Sequence, residues 1–322
     1  MRILIVGGTS FVGRAIAWSA WHRGHDVTVL NRGITPNDLP EKIERLVGDR
    51  EGDLSALAGR NFDVTIDAIA FRPLDVELLA NALEDRGGQY LQISSVSAYR
   101  DPGLEGAGEA TCTLWDDEGL DLEGPITGTT YGPLKAASER AARDSFGDTM
   151  TIVRPTFVIG AHDATLRFPY WVERVRQGGE VAVPGPRTNA LQFIDARDLA
   201  NFVVHGAEEK LTGAYHVAGP QPAGRFVDTV EQIAAHLAPP GTTIREISVE
   251  RVVELKLAGK LPLWTGGESE NVLALDSSLA ISCGLDLRPL SDSVDDVRTW
   301  WGERAWPDHW LTGPDEARLL GS

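Results

Sequence analysis

Cysteine is nearly missing from this chain: Cys112 and Cys283 are the only two in 322 residues, and they lie far apart in sequence. That argues against a disulfide-built scaffold or a cysteine-clustered metal site, so no metal is expected, and it suits a reducing, cytoplasmic setting. Long apolar runs are missing as well. None approaches the roughly 18–20 residues needed to span a bilayer. The short apolar stretch after Arg2 meets glycines where a signal peptide would carry its cleavage region, so no leader is expected. Basic residues are scarce: 30 Lys and Arg against 47 Asp and Glu leave a formal charge of −17. A surface of that sign repels phosphate backbones and anionic lipid, and no local basic patch offsets it. Nucleic acid and membrane are therefore not expected partners. The rest of the composition, 42% apolar and 24% charged, is ordinary for an enzyme long enough to bury one large core or a core and a smaller lobe.

Glycine and small residues are concentrated at the start. Ile3-Leu4-Ile5-Val6 reads as a buried strand, Gly7-Gly8-Thr9-Ser10 as a tight turn, and Phe11-Val12-Gly13 onward as a helix with apolar residues at helical spacing. A strand, a glycine turn and a helix N-terminus make an anion site, because unpaired N–H groups and the helix dipole both face the turn. Gly7-x-x-Ser10-x-x-Gly13 is close to the dinucleotide fingerprint, with serine in the middle place. A second strand, Asp26 to Leu30, ends at Asn31-Arg32-Gly33. A carboxylate there would accept from a ribose 2′-OH and repel a 2′-phosphate; Asn31 and Arg32 stand there instead. Arg32 is placed to pair with a 2′-phosphate, with Arg14 assisting, so NADP(H) is favoured over NAD(H); the alternative is a solvated surface arginine.

Strands at 43–47, 62–67 and 89–94 alternate with helices, one of them starting at Pro73 with Leu74, Leu78, Leu79 and Leu83 on its apolar face. This alternation predicts an α/β fold, a doubly wound parallel sheet that binds ligands beyond the carboxyl ends of its strands. Residues 100–128 break the pattern with many glycines and acids; the acids are expected to be solvated over a lid or an insertion. Ile93-Ser94-Ser95-Val96-Ser97-Ala98-Tyr99 closes the fifth strand, and Tyr131-Gly132-Pro133-Leu134-Lys135 opens a helix with Thr130 as its expected N-cap. Tyr131 and Lys135 are four apart and share a helix face. An ammonium beside a phenol favours the phenolate, so Tyr131 can exchange a proton with a substrate oxygen while a serine hydroxyl holds that oxygen.

These stretches, with Arg154-Pro155-Thr156-Phe157-Val158-Ile159-Gly160 and Phe193-Ile194-Asp195-Ala196-Arg197-Asp198-Leu199-Ala200, resemble the extended, epimerase-like branch of the short-chain dehydrogenase/reductase superfamily, the NAD-dependent epimerase/dehydratase family. The resemblance implies a Rossmann core over residues 1–160 and a smaller C-terminal α/β substrate lobe over 161–322, with 190–218 returning to the core. It implies Ser95, Tyr131 and Lys135 as catalytic, with Lys135 also on the nicotinamide ribose. Gly7, Thr9, Ser10, Phe11, Val12, Asn31 and Arg32 would hold the dinucleotide. So would Asp49 and Arg50 at the adenine, Ala68 to Ala70 with Ile69 between them on the nicotinamide side, and Pro155 near its ring. Homodimers are common in the family.

Two departures narrow the reaction. Val96 and Ser97 replace the acidic pair of the family's sugar dehydratases, which disfavours β-elimination. Phe157 and Leu191 stand where nucleotide-sugar members carry Asn and Arg, which points to a substrate without that diphosphate. Ser97, Phe157, Phe168, Tyr170, Trp171 and Gln192 are expected to line a mainly aromatic substrate pocket, with core packing as the alternative for each aromatic. His162 and Asp163 are expected to form a loop hydrogen bond. The tryptophans at 300, 301, 306 and 310 are expected to clamp a helix end onto the core, a subunit contact being the alternative. The reading is a carbonyl/secondary-alcohol oxidoreductase; the alternatives are an epimerase acting through a transient ketone and a non-catalytic or RNA-associated protein on the same fold.

Overall fold

A computed structural model describes residues 1–266 and 273–321 of the chain. In chain order the elements begin β1 (Arg2–Val6), α1 (Phe11–His22), β2 (Asp26–Asn31), β3 (Glu44–Val47), β4 (Val64–Asp67), α2 (Pro73–Leu83) and β5 (Gln89–Ile93). A 3-10 turn (Val96–Ala98) follows, then β6 (Tyr99–Asp101), β7 (Thr113–Leu114), α3 (Tyr131–Phe146) and β8 (Thr151–Pro155). Next come β9 (Phe157–Ile159), α4 (Arg167–Arg176), β10 (Glu180–Pro184), β11 (Ala190–Asp195), α5 (Ala196–Glu208) and β12 (Gly213–Val217). The last are β13 (Gly219–Arg225), α6 (Phe226–Leu237), β14 (Thr243–Ile247), α7 (Val249–Glu254), α8 (Ser278–Ser282), α9 (Leu290–Trp301) and α10 (Gly313–Leu320).

The chain divides into two compact units. Unit 1 holds Met1–Thr156, Ala196–Ala218 and Leu275–Asp286; unit 2 holds Phe157–Asp195, Gly219–Ala274 and Leu287–Ser322. The 190–218 stretch is thus split, with β11 in unit 2 and α5 and β12 in unit 1.

Unit 1 is built on a seven-stranded parallel sheet in the order β12-β8-β5-β4-β1-β2-β3. Ile3, Leu4 and Ile5 are wholly buried, as a central strand covered on both faces requires. Helix α1 packs with α5, and α2 with α3. β1 lies between β2 and β4, so the chain runs outward to β3 and then crosses back, which opens a crevice at the carboxyl ends of β1 and β4. Helix α2 buries Leu79 and Leu83 of the expected apolar face, but not its first residue. Leu74 is 37% exposed, while Val76, Leu79 and Leu83 are buried. The Asp75 carboxylate accepts from the N–H groups of Phe71 (2.8 Å) and Arg72 (2.9 Å), and this cap sets the rotation of the first turn.

The 100–128 stretch is fastened down; its acids are mostly exposed, as expected, and several of them are also paired. β6 and β7 form an antiparallel ribbon. Asp116 bonds Arg100 (2.6 Å), Asp117 bonds Arg140, and Glu109 accepts from the His216 N–H at 2.7 Å.

Unit 2 contains the parallel pair β10–β14 and the three-stranded sheet β13-β11-β9. Phe168, Tyr170 and Trp171 do not line an open pocket: each is at most 1% exposed and belongs to the apolar core. Their α4 face packs edge-to-face, Trp171 with Tyr170 at 4.8 Å and with Phe226 at 5.2 Å, and the Trp171 Nε1–H donates to Pro262 O at 2.7 Å. Gln192 is also fully buried and donates to Pro220 O at 3.3 Å. Phe157 remains partly exposed, under the Arg167 guanidinium at 5.0 Å. Trp301 and Trp310 are buried and stacked at 5.0 Å, with Trp300 and Trp306 packed against the same core, so the C-terminal tryptophans do clamp it. Asp163 accepts from the N–H and hydroxyl of Thr165 (2.8 and 2.6 Å), a local loop arrangement.

Candidate active site

The glycine turn after β1 explains its own composition. Gly7 has φ +85°, and a Cβ on it would stand 2.5 Å from the Ile69 side chain. A Cβ on Gly13 would lie 2.1 Å from the Gly7 carbonyl oxygen, because the helix starts directly against the turn. Ser10 replaces a glycine at no conformational cost, since its backbone is extended (φ −133°, ψ 141°). Its hydroxyl makes no capping bond, and the first turn of α1 carries no acid. The N–H groups there and the positive end of the dipole are thus left for an anionic ligand.

Gly7, Thr9, Ser10, Asn31, Arg32, Asp49, Arg50 and Ile69 line one cavity of ≈ 580 Å³. Its size is that of a cofactor site. Phe11 and Val12 lie in the first turn of α1 outside that lining; Ala68 is tied to Val6 O (3.1 Å), and Pro155 ends β8 as a buried residue. The Asn31 Oδ1 accepts from Gly33 N at 2.7 Å, which shapes the turn at the ribose end of β2. Arg32 is exposed on the cavity wall and makes no ion pair among the described residues. Arg14 does not assist it: its guanidinium is bound to Asp38 at 2.5 and 2.7 Å.

Arg50 does more than flank Asp49. Its Nη2 donates to both oxygens of the wholly buried Asp67 (2.9 and 2.8 Å), tying the loop after β3 to the end of β4. The Tyr90 hydroxyl donates to the same carboxylate at 3.0 Å, and burial beside that carboxylate pushes the Tyr90 pKa well up. Asp49 stays exposed, with Oδ1 accepting from Glu51 N at 3.2 Å.

At the other end of the crevice, α3 presents Tyr131 half-buried and Lys135 buried. Lys135 Nζ donates to Ala70 O and Ile93 O, both at 2.7 Å, so the ammonium is fixed between the ends of β4 and β5. Burial brings its pKa down to about 8, against the raising effect of Asp67, Glu139 and Asp75. The Ser95 hydroxyl accepts from Ser97 N at 3.1 Å and caps the 3-10 turn, while Ser97 itself is exposed. Below them Ser94 donates to Glu139, whose oxygens accept from Arg154 at 3.0 and 2.5 Å. Thr130 precedes α3 but does not cap it; its hydroxyl turns back to Pro125 O at 2.7 Å.

Sequence reasoning missed two residues here. Gly132 is where the serine turn meets α3: a Cβ would fall 2.2 Å from Ser97 O, so only glycine lets this turn close on the helix beside Tyr131. Phe71, a cavity-lining residue, faces the Lys135 ammonium at 4.9 Å and the Tyr131 ring at 6.3 Å. Its position just after Ala70, at the end of β4, was the available signal.

A parallel-sheet crevice with a glycine turn at the N-terminus of α1, and a helix carrying Tyr131 and Lys135 beside the ends of β4 and β5, gives the chain a fold of the short-chain dehydrogenase type. The model of the NAD dependent epimerase/dehydratase family matches residues 3–218, and the chain belongs to that family. It is 26% identical over 236 residues to the chloroplast stem-loop binding protein of 41 kDa b of Arabidopsis thaliana, and 29% identical over 233 residues to the 2-alkyl-3-oxoalkanoate reductase of Stenotrophomonas maltophilia. These alignments cover 68% and 64% of this chain but only 58% and 66% of those relatives' lengths. In fold it is similar to the UDP-glucuronic acid 4-epimerase of Bacillus cereus in complex with NAD (TM-score 0.64, 18% identity, 93% of this chain and 98% of that one). It is likewise similar to a nucleoside-diphosphate-sugar epimerase of Pseudomonas aeruginosa (TM-score 0.67, 21% identity, 94% and 97%). Among the described residues no helix is long and apolar enough to cross a membrane, and no group of three or more His, Cys, Asp or Glu is placed to hold a metal.

Proposed function

We propose that the protein is an NADP(H)-dependent oxidoreductase that interconverts a carbonyl and a secondary alcohol on a small metabolite. The observation that carries this reading is the Lys135 ammonium, buried and fixed one helical turn behind Tyr131. At neutral pH it is charged, since its pKa of about 8 lies above the working pH. Its field favours the tyrosinate, so Tyr131 can give a proton to a substrate oxygen or take one from it. The Ser95 hydroxyl, oriented by the Ser97 N–H it accepts from, is free to donate to that same oxygen as charge develops. A bound nicotinamide supplies the hydride chemistry. Arg32, with no carboxylate beside it at the end of β2, favours a 2′-phosphate and hence NADP(H).

The name of the Stenotrophomonas relative, a reductase, agrees with this reading. The epimerase titles of the structural neighbours favour a second one, in which hydride leaves and returns on opposite faces. Phe157 and Leu191, apolar at the nucleotide-sugar positions, weigh for the first. The stem-loop binding relative does not bring RNA into the proposal, because a net charge of −17 opposes a phosphate backbone. The test is consumption of NADPH in the presence of a ketone panel. Carbonyl-dependent oxidation supports the reductase; stereochemical inversion of an alcohol with cofactor retained and not consumed shows the epimerase instead.

A further inference from the structure

Lys135 must stay charged to act on Tyr131, yet almost everything around it is apolar or hydrogen-bond accepting. The side chain is 2% exposed, and two of its three N–H donors are spent on the carbonyls of Ala70 and Ile93. The charged groups that face it are Asp67 from β4, Asp75 from α2, Glu139 from its own helix and Arg50 from the loop after β3. Three of these are already engaged: Arg50 is bound to Asp67, and Glu139 to Arg154. Asp75 is spent capping α2. Besides these groups the ammonium has a ring for a neighbour. The Nζ atom stands 4.9 Å from the centroid of Phe71, inside the range in which an aromatic face attracts a cation. The same ring lies 6.3 Å from that of Tyr131 at an interplanar angle of 50°.

Building on the catalytic pair proposed above, we propose that Phe71 is a positioning residue for this site: its ring face holds the Lys135 ammonium in its charged form, and its contact with Tyr131 sets the phenol beside that charge. An aliphatic side chain of similar bulk keeps water out but has no negative face, so the neutral amine gains relative to the ammonium. A cation–π contact in a desolvated setting corresponds to a shift of about one and a half pH units in the lysine titration. The sign follows from which form is held. Loss of the ring lowers the lysine pKa further, and the high-pH limb of turnover, where the ammonium is lost, moves to lower pH.

The test reads the lysine directly and needs no substrate. The chain has five lysines, so the full-length protein labelled at lysine Cε gives a carbon NMR spectrum in which Lys135→Arg identifies the Lys135 signal. The wild-type signal is expected to titrate near pH 8. Phe71→Leu, or Phe71→Met if the leucine variant does not fold, is expected to titrate about one and a half units lower, while Phe71→Tyr returns to the wild-type value. A Lys135 titration that is unchanged or raised in both aliphatic variants overturns the proposal, whatever their thermal stability. In activity, the aliphatic variants lose turnover at the upper end of the pH range first, and Phe71→Tyr restores it. Absence of turnover in the wild type with any carbonyl would count against the function proposed above and leave the NMR result to stand on its own.

Discussion

Aromatic side chains occur in both units, and the two sets behave in opposite ways. In unit 1, Phe71 and Tyr131 sit half-buried at the ends of β4 and the start of α3, each next to a charged or polar group and each with part of its surface open. In unit 2, Phe168, Tyr170 and Trp171 are sealed among Val172, Phe226, Trp301 and Trp310. The Tyr170 hydroxyl has no hydrogen-bond partner among the described residues, and burial pushes its pKa well above the ordinary tyrosine value. The chemistry of the ring does not separate the two cases; the backbone around it does. A ring that follows the carboxyl end of a parallel strand faces the crevice, whereas rings on successive positions of a short helix turn at least one face to the interior.

Replacing Trp171 with alanine is the strongest way to break this comparison. A core tryptophan with its indole N–H donated to Pro262 O costs about 3–5 kcal/mol when truncated. The expected result is a large drop in melting temperature. A variant with unaltered melting and a changed substrate KM would instead return Trp171 to the pocket wall where the sequence reading put it. A smaller effect sharpens the other side. Arg32→Ala is expected to weaken NADPH by about tenfold or more, the worth of one charge-assisted contact, and to leave NADH nearly unchanged. Arg14→Ala should leave the ratio of the two alone, since Arg14 is occupied by Asp38. Calorimetric titration of both cofactors checks this, and equal losses for NADPH and NADH would place Arg32 outside the 2′-phosphate site.

How much of this was readable from sequence follows the same division. The parallel sheet, the glycine turn and the pairing of Tyr131 with Lys135 were legible because each imposes a local rule: a buried strand, a position where a Cβ collides, a four-residue helical spacing. Gly13 and Gly7 are readable in this way, and so, with hindsight, is Gly132. Arg14 misled because its partner, Asp38, lies 24 residues on in a stretch with no periodic signal. The acids of 100–128 are mostly exposed as expected, but the pairing of Glu109 and Asp117 was not legible, since their partners lie outside that stretch on β12 and α3. The aromatic residues of α4 carried no local rule at all. Whether they face a ligand or a core depends on α6, α9 and the C-terminal tryptophans, which lie far along the chain.

The central claim is that Tyr131 moves the proton. Its most direct test is a single turnover of enzyme-bound NADPH with a reducible ketone, followed by near-ultraviolet absorbance, in the wild type and in Tyr131→Phe. Removing the hydroxyl alone should leave NADPH binding intact and slow its oxidation by about 10²–10⁴-fold, the usual worth of a positioned general acid. Oxidation at the wild-type rate in the phenylalanine variant would contradict the account.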